Sequence, residues 1–207
     1  MVNQFWHNQI TEKSFIFLQE LRKNFKFVLI GGWAVYFHTH ALKSKDIDII
    51  VDFETLGELR KEFALVKNER LKKYEIRGDT FDVDIYVPHW SALGLPLDFV
   101  MKNTMSVEGF RVPRKEVLLI LKLFVYTQRG SSLKGQKDLI DVLSLLYVGR
   151  ISWLFFAGAL KEKRLLNLLK ELKSILQTTF EVKELNLNRK SFSDFKKPVL
   201  REIEKLS

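Results

Sequence analysis

Apolar and polar positions follow two periods along this chain, and the change between them sketches the fold. Phe5, Ile10, Phe15, Leu18 and Leu21 recur at three-to-five-residue spacing, which predicts a helix over residues 5–24. A short apolar run at 27–30 then reads as a buried strand and stops on Gly31-Gly32. Residues 33–42 resume a helical pattern. Ile47, Ile49 and Val51 alternate with Asp46, Asp48, Ile50 and Asp52, the two-residue period of a strand. A helix is predicted over 54–66, then strands over 70–77 and 80–87 joined by a turn at Gly78-Asp79. In the second of these, Phe81, Val83, Ile85 and Val87 share one face while Asp82, Asp84 and Tyr86 share the other.

After a loop over 88–96 and a short hairpin in "SVEGFRVP", the pattern is helical throughout. Helices are predicted from about 114 to 128 and from 136 to 147, the latter ended by Gly149. Leu165, Leu168, Leu169, Leu172 and Leu176 form an apolar helical stripe, residues 181–190 a polar loop, and 191–206 a last amphipathic helix. The expected class is α+β: a small mixed sheet flanked by helices over residues 1–113, and an all-helical region over 114–207.

Composition narrows the chemistry. Apolar residues make up 46% of the 207 positions, which is ample for a packed core. The absence of cysteine removes disulfides, thiolate metal sites and cysteine nucleophiles. No apolar block of signal-peptide type opens the sequence and no apolar window is long enough to cross a membrane, so a soluble, cytoplasmic chain without membrane partners is expected. The net charge is +9, and residues 150–207 hold 13 Lys and Arg against seven Asp and Glu. Such a basic region would attract a polyanion such as RNA, or would simply be a lysine-rich solvated surface.

Asp46 and Asp48 interrupt a strand that should be buried. Side chains two apart on a strand point the same way, as do Asp82 and Asp84 on theirs. If the strands are neighbours, several carboxylates crowd one face, and each pair about 5 Å apart repels by on the order of 3 kcal/mol in an intermediate dielectric. A divalent cation relieves that repulsion, and oxygen ligands with open positions suit Mg²⁺. Without a cation, the same aspartates would face solvent beside Lys43, Lys45 or Arg77. Gly31-Gly32 follows a strand and opens a helix, a geometry that lets backbone N–H groups approach a phosphate. It would serve equally as a tight turn with no ligand. His38 and His40 are spaced wrongly for two ligands on one helix face, and no P-loop glycine pattern is present.

Taken together, "LIGG", thirteen intervening residues, "DIDI" and later "VDIYV" resemble the nucleotidyltransferase fold of the DNA polymerase β type. The segments "VPRKEVLLILKLFVYTQR" and "KDLIDVLSLL" look like the helical part of its AbiEii-like branch, known from abortive-infection and toxin–antitoxin systems. The chain is also similar there to small aminoglycoside and lincosamide nucleotidyltransferases. The likeness covers residues 27–148.

The resemblance implies a function and a site. The reaction would be Mg²⁺-dependent transfer of a nucleoside monophosphate from an NTP to a hydroxyl, with two ions taking part. Asp46 and Asp48 would bind metal, with Asp84 as third carboxylate; Asp82 competes for that place. Gly31 and Gly32 would hold the triphosphate. Lys122 and Asp138 would contribute to the nucleotide site, with the helical region completing its cleft. On the helix from 114, Lys122, Tyr126 and Arg129 share a face, so Lys122 would reach a phosphate or lie at the core edge. Asp138 and Asp141 would pair with Lys122 or Arg129, or contact a base. The acceptor would be tRNA, a protein or a small molecule. An antitoxin or toxin partner protein would dock on the C-terminal helices. A nucleotide- or partner-binding module without turnover is the rival expectation.

Overall fold

The computed structural model describes residues 2–130 and 132–206, with side chains from residue 8 onward, so the expected packing of Phe5 lies outside the described set. The chain divides into two compact units, Met1–Arg114 and Lys115–Ser207.

In the first unit, β1 (Val28–Ile30), β2 (Ile47–Ile50), β5 (Asp82–Tyr86), β4 (Lys73–Arg77) and β3 (Val66–Asn68) make one sheet in the order β1-β2-β5-β4-β3. Only β2 and β5 run parallel. The sheet is therefore mixed, and its one parallel pair lies near its centre. Helices α1 (Val2–Asn24), α2 (Gly31–Thr39), α3 (Phe53–Glu62) and α4 (Leu97–Lys102) accompany it, as does a hairpin of β6 (Thr104–Val107) and β7 (Phe110–Pro113). The core forms where strand residues such as Leu29, Ile47, Ile49, Val83 and Ile85 are fully buried. Trp33 and Phe37 bring α2 into it. Phe37 stacks on Phe110 at 4.6 Å, and the Trp33 indole donates to the Ser14 hydroxyl of α1 at 3.0 Å. A buried indole N–H without such a partner would be costly, so this bond fixes how α1 and α2 meet.

The second unit is helical: α5 (Lys115–Arg129), α6 (Leu133–Tyr147), α7 (Trp153–Glu162), α8 (Asn167–Thr178) and α9 (Arg189–Glu204), with a single 3₁₀ turn at Lys183–Leu185. Helix α5 buries every residue from Glu116 to Leu123, and α8 buries the stripe Leu168, Leu169, Leu172, Ile175 and Leu176. Among the described residues no helix is long and apolar enough to cross a membrane.

Two local expectations change, and one helix comes unannounced. The helix predicted to reach residue 66 ends at Glu62, because Phe63 turns into extended backbone and packs its ring on Phe17 and Phe25. That release lets residues 66–68 pair as the edge strand β3. Asp52, read as part of the strand pattern, lies beyond β2 and instead caps α3, accepting from Thr55 N–H at 2.8 Å. That bond holds its carboxyl below the usual range. Helix α7 carries "WLFFAGAL", apolar on all sides, and so gives no amphipathic period to read.

Candidate active site

The site is built by strand register. Ile30, the last residue of β1, lies opposite Asp48 on β2; Asp48 lies beside Asp84 on β5; Asp84 lies opposite Glu75 on β4. Residues in register on adjoining strands share a face. Three acidic side chains, Asp48, Asp84 and Glu75, therefore stand in a row across the sheet.

At one end of the row is the glycine turn. Gly31 has φ +66°, a left-handed conformation that non-glycine residues adopt only under strain. A methyl group there would overlap the Asp48 carboxylate. Glycine is thus required twice, for the backbone bend and for the close approach of Asp48. Gly32 is buried in the first turn of α2. Ile30, which caps that helix, offers no side-chain acceptor to its first N–H groups. The positive end of α2 and the Asp48 carboxylate thereby share one place on the sheet rim.

Toward the other end lies a cation that the sequence pattern did not single out. Lys73 Nζ sits 2.6 Å from Asp84 Oδ2 and 3.1 Å from Glu75 Oε1, with its side chain 12% exposed. Glu75 is held further by Asn68 Nδ2 at 2.8 Å and Arg77 Nε at 3.1 Å. Burial alone would push the Glu75 carboxyl up, but these donors outweigh it and hold it below its usual range. Asp84 behaves oppositely. Burial, reinforced by the charge of Asp48, pushes it up to about 6 although Lys73 opposes the change. Burial pulls the Lys73 ammonium down, and its two carboxylate partners more than restore it. Lys73 stays charged through neutral pH, and Asp84 is the group that takes up a proton on mild acidification.

Asp46 and Asp82 are placed differently. Asp46 precedes β2 and accepts from the Asp82 backbone N–H at 3.4 Å. Asp82 is exposed, and its carboxylate accepts from Gly78 N–H at 3.3 Å, closing the β4–β5 turn. Of the two candidates for a third carboxylate, Asp84 is the one beside Asp48. Among the described residues no three acidic or histidine side chains form a ready metal cage. His38 and His40 have structural contacts: His38 Nε2 bonds the Pro113 carbonyl at 2.8 Å, and His40 lies 3.3 Å from Glu108.

Lys122 and Asp138 belong to the helical unit and form a network within it. Lys122 Nζ lies 3.2 Å from Asp138 Oδ1 and 2.7 Å from Asp141 Oδ2. The contact to Asp141 is an ion pair. Arg129 Nε reaches Asp138 Oδ2 at 2.8 Å. Both aspartates are almost fully buried, and burial pushes the Asp141 carboxyl up against the pull of Lys122. This network clamps α5 to α6.

No family model and no curated protein matches the chain. Solved structures do. A nucleotidyltransferase-like antigenic protein from Paracoccidioides brasiliensis is 17% identical, with 83% of this chain and 94% of that chain covered and a TM-score of 0.45. A candidate nucleotidyltransferase from H. pylori is 16% identical over 90% and 89%, with a TM-score of 0.47. JHP933 from Helicobacter pylori is 17% identical over 90% and 87%, with a TM-score of 0.43.

Two outcomes are expected from the site. Gly31→Ala should destabilise the protein in urea unfolding by at least about 1–2 kcal/mol, the cost of a left-handed non-glycine residue. That penalty should shrink in an Asp48→Ala background, where the crowding carboxylate is gone; equal penalties in both backgrounds would show that no crowding exists. In chelator, the folded protein holds a proton on Asp84 that the unfolded chain has lost, over the window from 3.8 to about 6. Stability should therefore fall as pH rises through that window, by a total on the order of 3 kcal/mol. Asp84→Asn should flatten the slope, and an unchanged slope would remove Asp84 as its source.

Proposed function

We propose that this protein is a Mg²⁺-dependent nucleotidyltransferase that joins a nucleoside monophosphate from an NTP to an acceptor hydroxyl and releases pyrophosphate. The observation that carries this reading is the in-register pair Asp48 and Asp84 beside the Gly31 turn. Two half-buried carboxylates stand in register on neighbouring strands, and burial together with the charge of Asp48 raises the pKa of Asp84, as suits an oxygen-donor set that takes a cation. Mg²⁺ is commonly held by one or two carboxylates, the rest of its shell being water and substrate phosphate, so the pair fits it without a third ligand.

When bound, the ion would supply Lewis-acid stabilisation of the reacting phosphate. The chain's own residues do the remaining work. Asp48 and Asp84 hold the ion at the rim of the sheet. The Gly31 bend and the first N–H groups of α2, to which Ile30 offers no side-chain acceptor, would receive phosphate oxygens. An Asp84 carboxylate oxygen would accept the proton of the acceptor hydroxyl as the hydroxyl oxygen bonds to the α-phosphorus and pyrophosphate departs.

Charge supports one acceptor class over the others. The helical unit holds 18 Lys and Arg against ten Asp and Glu, eight of the nine net positive charges, while the first unit is nearly neutral. That balance suits an RNA acceptor, whose phosphates such a surface would attract.

One observation favours the rival reading of nucleotide binding without turnover: the Lys73 ammonium already sits on Asp84. Pyrophosphate release separates the two. With Mg²⁺, each NTP and host RNA, the wild-type protein should release pyrophosphate and label RNA. Asp48→Asn should lose at least about a hundredfold of that rate, as expected when an electrostatic element of catalysis is removed, while keeping a cooperative thermal transition. Nucleotide binding without pyrophosphate release by the wild type would establish the rival.

A further inference from the structure

We propose that Lys73 is the resident counter-ion of the Asp48–Asp84 cation site, and that Glu75 is the carboxylate that receives it when a divalent cation binds. The inference rests on the cation reading above and deepens it.

The geometry is specific. Lys73 bridges two carboxylates of the same row, Asp84 at 2.6 Å and Glu75 at 3.1 Å. The two are unequal hosts. Asp84 has Asp48 as its neighbour on the next strand. Glu75 has no acidic neighbour but Asp84 among its strand partners, and Asn68 and Arg77 donate to it as well. Glu75 is thus built to hold positive charge independently of Asp84.

A dication and an ammonium cannot both sit close to Asp84 without strong mutual repulsion, since like charges a few ångströms apart in a half-buried site are poorly screened. The ammonium is on a flexible stem and needs only to let go of one of its two partners. Because Glu75 already binds it, the move is short and leaves no charge unpaired. The row then works as an exchange: with no divalent ion, Lys73 neutralises part of the acidic pair and keeps the sheet intact; with the ion, Lys73 withdraws to Glu75. Metal binding is made weaker by this competition. Occupancy of the site then depends on the added phosphate ligands of an incoming nucleotide.

The test is Mn²⁺ binding by titration calorimetry at neutral pH, without nucleotide, on wild type, Lys73→Met, Glu75→Gln and the double variant. Lys73→Met should bind Mn²⁺ about tenfold more tightly, the order expected from removing one nearby like charge. Glu75→Gln should bind it several-fold more weakly, because Lys73 has lost its alternative host. The double variant should resemble Lys73→Met. A merely structural ion pair would weaken binding in all variants alike, and that result would overturn the proposal. So would Lys73→Met binding no tighter than wild type while wild type binds; that outcome leaves the cation site standing. Binding by none of the four proteins, each confirmed as folded by its thermal transition, would overturn the cation reading and this proposal together.

Discussion

The structure turns on the repulsion between two carboxylates. Asp48 and Asp84 are in register on the only parallel strand pair of the main sheet, so the hydrogen-bonding that builds the sheet also forces their charges together. Everything around them answers that constraint. Lys73 supplies a compensating charge from β4, Glu75 anchors Lys73, and Gly31 makes room for the Asp48 carboxylate where any side chain would collide. A residue set that only stabilised the fold would have placed apolar side chains at 48 and 84, as Ile47, Ile49, Val83 and Ile85 fill the opposite face. The arrangement makes sense as a site that gives up stability for chemistry.

Much of this was legible in the sequence, for identifiable reasons. The two-residue period around Asp46 and Asp48, and again around Asp82 and Asp84, announced the strands because local alternation is a local property. The glycine pair announced a strand-to-helix bend. What stayed hidden depends on register. The turn at Gly78-Asp79 already made β4 and β5 neighbours, but not their register: the structure pairs Arg77 with Asp82 and so sets Glu75 opposite Asp84. The available signal was that "KYEIR" alternates in the same phase as "DVDIY", but that settles nothing until the pairing is known. Hidden likewise was the bond that Asp46, just before β2, accepts from the β5 backbone N–H of Asp82.

The helical unit shows a different use of buried charge. Lys122, Asp138, Asp141 and Arg129 join α5 to α6 through contacts between 2.7 and 3.2 Å. Two buried acids against two bases leave the network neutral overall, with Asp141 the least satisfied member. Removing one partner of such a set costs more than the set contributes, which fixes the pairing of the two helices. Most of the chain's excess positive charge is carried by this same unit, on exposed positions such as Lys134, Arg150, Lys161, Lys170 and Arg189.

The most direct measurement is anomalous diffraction from crystals grown with Mn²⁺ and a non-hydrolysable nucleoside triphosphate. The account predicts a metal peak shared by the Asp48 and Asp84 carboxylates, with the phosphate chain lying over Gly31. Nucleotide seated elsewhere on the molecule, with no metal on that pair, would contradict it.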